Sequence, residues 1–175
     1  MQKNLSARGF KAELVLAPKL LVTIDDWKRI ILKENKLMNV RYLLVYAFDV
    51  KVEVFDFARL YAKKNGMKIV DIAYKETEAM YDMDVMTNCG LLEFLTLFAN
   101  AEHIIAASFH GKVFSIIFHE SFHCVPHPKF CDRTDSLLNI LNLEGHNIES
   151  FDKVLDEKVD WTRVDCCLEE YRRKS

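Results

Sequence analysis

At 175 residues, with half of its side chains hydrophobic and 11% aromatic, the chain has the size and apolar content of one ordinary domain that needs no disulfide or metal staple. Five Gly and three Pro exclude a linker-like or collagen-like chain. Its 24 basic and 26 acidic residues, a net charge of -2, supply no excess positive charge for a nucleic-acid backbone.

The stretches 14–24 and 109–118 are the longest nearly apolar runs, but Lys19 and Lys112 interrupt them and both are too short to span a bilayer. The amino terminus lacks the apolar run of a signal peptide. These features lead us to expect a cytoplasmic protein without a transmembrane segment. Cys89, Cys124, Cys131, Cys166 and Cys167 are odd in number, scattered and free of any C-x-x-C pair. They are expected as reduced thiols filling small buried spaces, with a nucleophilic Cys124 beside His123 as the alternative.

In chain order, residues 14–21 read as an edge strand or extended lead-in, and Asp25-Asp26 before Trp27 as a helix start with its acidic residues in the first turn. Residues 42–47 form a continuous apolar run, and 67–73 are apolar apart from Lys68 and Asp71, as suits strands buried in a sheet. Between them Val54, Phe57, Ala58 and Tyr61 mark the inner face of a helix. Glu53, Asp56, Arg59 and Lys63 take its outer face, and Asn65-Gly66 stops it. Strand, helix, strand is the βαβ unit.

Residues 74–88 read as a polar connection, too long and too charged for a strand. Asn88 is expected to cap a helix with Leu91, Leu92, Leu95, Phe98 and Ala99 inside, followed by a third strand at 103–107. The helix at 112–119 is apolar except for a stripe of Lys112, Ser115 and His119, and is expected to be sandwiched between layers. Residues 122–125 read as a fourth strand, and Pro126 and Pro128 break the chain. Asp132 is expected to cap a helix carrying Leu137, Leu138 and Leu141 that stops near Gly145, and 150–175 read as outer helices. Lys63-Lys64 and Arg172-Arg173-Lys174 read as solvated faces.

The alternation predicts an α/β chain: a Rossmann-like three-layer αβα domain with a mainly parallel sheet. Ligands of such sheets gather at the carboxyl ends of strands, where helix amino termini offer N–H groups and partial positive charge. Ser108-Phe109-His110-Gly111 sits at such a junction, with Ser108 as N-cap, Gly111 permitting close backbone approach and His110 as a titratable group. The pattern predicts an anion site; the competing reading is a histidine that merely caps or packs. No G-x-G-x-x-G is present, so a dinucleotide site is not expected. His119, His123 and His127 recur every four residues, but the strand character of 122–125 and the two prolines deny them one continuous helix. They are expected as surface and loop-packing histidines, with no metal and no cofactor.

Residues 99–111, Ala-Asn-Ala-Glu-His-Ile-Ile-Ala-Ala-Ser-Phe-His-Gly, followed by Phe114-Ser115-Ile116-Ile117-Phe118, resemble the signature of the polysaccharide pyruvyl transferase family. Leu16-Ala17-Pro18 with Leu20-Leu21 and Asp26-Trp27 resembles the opening of that family's second half, and Arg41-Tyr42 through Tyr46 its first strand there. Arg133 with Leu137-Leu138 and Leu141-Asn142-Leu143 is similar to its R-x-x-x-L-L-x-x-L-x-L helix. Ala17 stands where the family usually has Asp, and His146 near a position often held by Arg.

The resemblance implies the second half of a B-type glycosyltransferase-like fold, with an amino-terminal domain or partner chain supplying the rest of the site. It implies transfer of a pyruvyl group from phosphoenolpyruvate to sugar hydroxyls in surface polysaccharide biosynthesis. His110 would be the general acid or base, Arg133 an anion clamp, and Ser108, Phe109 and Gly111 would shape the pocket. Two other readings stay open: a non-catalytic anion-binding or interaction module, and the nucleotide-sugar-binding half of a glycosyltransferase.

Overall fold

The computed structural model describes residues 18–31, 40–77, 80–125, 131–148 and 158–174. Strands β1 (Tyr42–Tyr46), β2 (Lys68–Ile72), β3 (Asp84–Met86), β4 (His103–Ala106) and β5 (Phe122–Cys124) form one sheet in the order β3-β2-β1-β4-β5. Every pairing is parallel. Parallel neighbours need crossovers, and helices supply three of them. These are α2 (Glu53–Asn65) between β1 and β2, α3 (Leu91–Ala99) between β3 and β4, and α4 (Phe109–Phe118) between β4 and β5. Helices α1 (Ile24–Ile30), α5 (Cys131–Leu141) and α6 (Trp161–Lys174) complete the expected α/β three-layer domain.

Side-chain alternation along β1 divides the core. Leu43 and Val45 join Val54, Phe57, Ala58 and Ala62 of α2, while Tyr42 and Leu44 join the layer of α3 and α4 on the opposite face. Gly66, at φ 64°, ends α2 where Asn65-Gly66 predicts the stop. Residues 111–118 of α4 are all buried, so this helix is sandwiched as expected. Its polar stripe is largely buried too. Lys112 is 1% exposed, Ser115 is fully buried and donates to the Gly111 carbonyl at 2.9 Å, and His119 leaves the helix at φ 59°.

Several local expectations are corrected. The 74–88 connection contains β3, a half-buried edge strand whose three residues are too few to show a period. The cap of α3 is Gly90 rather than Asn88, with the Glu93 carboxylate accepting the Gly90 N–H at 2.9 Å. Leu91, the first residue of α3, is 70% exposed, and the buried residues are Leu95, Thr96, Leu97 and Phe98.

Residues 18–21 form a 3-10 turn rather than a strand, with Leu20 fully buried; 14–17 lie outside the described residues. Thr23 caps α1, with Asp25 and Asp26 in its first turn as predicted. Helix α5 begins at Cys131, so Asp132 lies inside it, and it ends at Leu141, with Asn142 at φ 53°. Pro126, His127 and Pro128 lie outside the described residues.

Arg172 is not a solvated charge: its guanidinium donates to the Leu20 carbonyl at 2.7 Å and the Val22 carbonyl at 3.4 Å, tying α6 to the opening turn. Cys166 is exposed, against the expectation of burial, while Cys89, Cys124, Cys166 and Cys167 are all free thiols. Among the described residues, no helix is long and apolar enough to cross a membrane.

Candidate active site at the start of α4

The strand order reverses between β1 and β4, and the crevice at the carboxyl ends of these two strands is where open α/β sheets bind ligands. Ser108 lies two residues past the end of β4. Its backbone is extended and its Oγ accepts the Gly111 N–H at 3.0 Å, the N-cap expected of it. Phe109 is half-buried and His110 is exposed, so the imidazole is not sealed in the core. The α4 start thus brings an accessible imidazole beside the positive end of a ten-residue helix.

Gly111 also meets an internal packing requirement. Its amide is taken by Ser108, and a Cβ at this position would lie 2.8 Å from Tyr46 Cδ1 and 2.9 Å from Ala106 Cβ. The glycine lets α4 press against β1 and β4; the packing requirement is internal. Tyr46 is in turn held edge-on by Phe48, Phe94 and Phe98, at centroid distances of 4.8, 5.2 and 5.5 Å. Burial raises the Tyr46 phenol, with Tyr74 and Cys89 adding to the effect. Arg133 lies in the opening turns of α5, and its side chain is outside what the structure describes.

A second polar cluster escaped the sequence reading. At the amino-terminal end of the sheet, His103 Nε2 meets His123 Nδ1 at 2.6 Å, and His103 Nδ1 lies 2.9 Å from Ser121 Oγ and 3.2 Å from the Tyr61 hydroxyl. His146 Nδ1 is 3.0 Å from the Phe122 carbonyl, which only accepts, so that nitrogen carries the hydrogen. Burial, then the His123 and His146 imidazoles, push His103 down to about 3. The cluster borders a cavity of about 440 Å³ shared by Tyr61, Asn65, Ser121, His123, His146 and Trp161.

His119 also lines this cavity, 2.9 Å from Asp165 and stacked on Trp161, but it ends α4 whereas His123 is buried within β5, so the two do not share a helix and His123 is not the surface or loop histidine expected. Among the described residues no group of His, Cys, Asp or Glu is arranged to hold a metal. Cys124 is fully buried and, as the next residue of β5, points to the face opposite His123. Asp71, on β2, is fully buried with no hydrogen-bond partner among the described residues, and burial pushes it up to about 7.

A parallel sheet in this order, with a capped helix start at its reversal point, defines a Rossmann-like domain similar to half of a B-type glycosyltransferase fold. The UDP-GlcNAc 2-epimerase of Methanocaldococcus jannaschii in complex with UDP-GlcNAc and UDP is similar in structure, with a TM-score of 0.58 and 17% identity over 99% of this chain and 52% of that one. Another structure of that enzyme gives a TM-score of 0.56 and 16% identity, over 96% and 52%. The chain therefore spans about half the length of these structures. A search of curated proteins by sequence gave no match.

The particular lineage comes from the sequence. The polysaccharide pyruvyl transferase model matches residues 3–127, and the chain belongs to that family.

Proposed function

We propose that this chain is the donor-binding domain of a pyruvyl transferase, which moves the pyruvyl group of phosphoenolpyruvate onto sugar hydroxyls in surface polysaccharide biosynthesis, in the cytoplasm. The carrying observation is the exposed His110 at the capped start of α4, on the reversal point of the sheet, within the family match. Phosphoenolpyruvate has a phosphate and a carboxylate, and both suit the positive end of a helix and a guanidinium. Phe109 and the α4 backbone shape the pocket, Ser108 fixes the helix start, and Arg133 clamps one anionic group.

In the reaction, C3 of the donor gains a proton and C2 becomes electron-poor while an acceptor hydroxyl oxygen bonds to it and gives up its proton. A second hydroxyl then displaces phosphate, closing a ketal and releasing inorganic phosphate. His110 is the group that exchanges a proton with the donor. A second domain, from this protein or a partner chain, completes the site and the acceptor contacts.

Thermal-shift measurements with phosphoenolpyruvate, inorganic phosphate and UDP-GlcNAc test the reading. Phosphoenolpyruvate should stabilise the chain most, and His110→Ala should diminish that shift and abolish turnover once the second domain is supplied. A preference for UDP-GlcNAc, the compound named for the similar epimerase, would support a nucleotide-sugar half instead. Stabilisation by none of the three would support a non-catalytic module.

A further inference from the structure

Tyr74, just past the carboxyl end of β2, is 82% exposed. One face of its ring lies on Phe48, with centroids 4.4 Å apart and planes 27° from parallel. The other face is left to solvent. Phe48, just past the carboxyl end of β1, rests edge-on against Tyr46, the ring that packs beneath Gly111. The pair, exposed through Tyr74, is thus built onto the same reversal point as the α4 start, two ring contacts from it.

Core packing does not call for this stack. A tyrosine this exposed gains little from folding, yet its ring is held in place by a second ring that is anchored by a third. The flanking residues are polar: Asp49, Lys75 and Glu76 are exposed. Asp49 also holds φ at 52°, a left-handed conformation that is uncommon outside glycine and recurs at ligand sites.

An aromatic face about one ring wide, with a polar rim, is far smaller than a protein interface, which takes some 800 Å² from each partner. It matches one pyranose, whose C–H face carries partial positive charge toward the electron-rich ring while its hydroxyls reach outward to carboxylate acceptors.

We infer that the Phe48–Tyr74 stack is the platform for the acceptor saccharide, so that this half of the fold holds a sugar ring beside the donor site. The inference rests on the proposed transferase reading for the identity of the sugar as acceptor. Phe48 supports the platform, Tyr74 supplies the contact face, and Asp49, the residue after Phe48, offers a carboxylate for ring hydroxyls.

The test is saturation-transfer NMR on the full chain with the methyl glycosides of galactose, glucose and mannose, comparing wild type with Tyr74→Ala and Tyr74→Trp. At least one glycoside should bind the wild type, Tyr74→Ala should weaken it roughly three- to tenfold, the range of a single ring contact, and Tyr74→Trp should retain it. Phosphoenolpyruvate should stabilise Tyr74→Ala as it does the wild type, and circular dichroism should show an unchanged fold.

Glycoside binding that ignores Tyr74→Ala, or no binding of any glycoside by the wild type, overturns the inference. So does uridine monophosphate binding that depends on Tyr74 and displaces the glycosides, which would make the stack a base platform. If the glycosides bind through Tyr74 while phosphoenolpyruvate gives no stabilisation, the platform stands and the donor reading fails.

Discussion

Protonation of His103 should oppose folding as pH falls, and His103→Gln should remove that contribution to the acid response. His103 is 2% exposed and its imidazole faces His123, with His146 behind, so a proton there is both desolvated and repelled. Its folded value of about 3 lies below the ordinary 6.5. The unfolded chain therefore binds the proton more readily, and stability from this group is lost as pH falls below 6.5 toward 3.

From those two values, linkage gives a loss of about 2 kcal/mol between pH 7 and pH 5. Glutamine keeps polar atoms near Ser121 and His123 but takes no proton. Asp71 and Glu120, raised by burial to about 7 and about 8, bind protons on folding and tilt the whole curve the other way. The informative quantity is thus the difference between variant and wild type. Urea unfolding followed by circular dichroism at half-unit steps from pH 5 to 7 measures it. Wild type should lose about 2 kcal/mol relative to His103→Gln across that range. Parallel curves would refute the reasoning.

Two further outcomes follow from the packing. Asp71→Asn should gain on the wild type by about 2 to 3 kcal/mol as pH rises from 5 to 8, because a folded value raised to about 7 forfeits its stabilisation as the buried carboxyl ionises; paired urea titrations check it. Gly111→Ala should cost about 1 to 3 kcal/mol, read as a lowered Tm without ligand, since its methyl would meet Tyr46 and Ala106 at under 3 Å. An unchanged Tm there, with donor binding lost, would return the glycine to a ligand-contact role.

The sheet was legible wherever a strand was a continuous apolar run, as in Leu43-Leu44-Val45 and Ile104-Ile105-Ala106. β3 was not, because an edge strand of three residues, one exposed and two half-buried, carries too little pattern. The start of α4 could be read because a strand, a capping serine and a histidine are adjacent in the chain. The Phe48–Tyr74 stack and the His103–His123–His146 cluster could not. Their members sit on different strands and loops, and only parallel register brings them together: Ile105 of β4 faces His123 of β5, and His103 stands two residues earlier. Arg172 was misjudged as solvated for a related reason. Long cationic side chains tolerate burial when tertiary partners receive them, and for Arg172 those partners are the carbonyls of Leu20 and Val22, at the far end of the chain.

His103 opens β4 and Ser108 lies two residues past its last, so the imidazole pair and the candidate site occupy opposite poles of the sheet, roughly 15 Å apart at the rise of an extended strand. At that separation, without shared partners, perturbations add rather than compound. Acid tolerance and the proposed transfer are therefore separate dials: a lineage moving to a more acidic habitat could rebuild the imidazole pole without retuning the candidate site at the other.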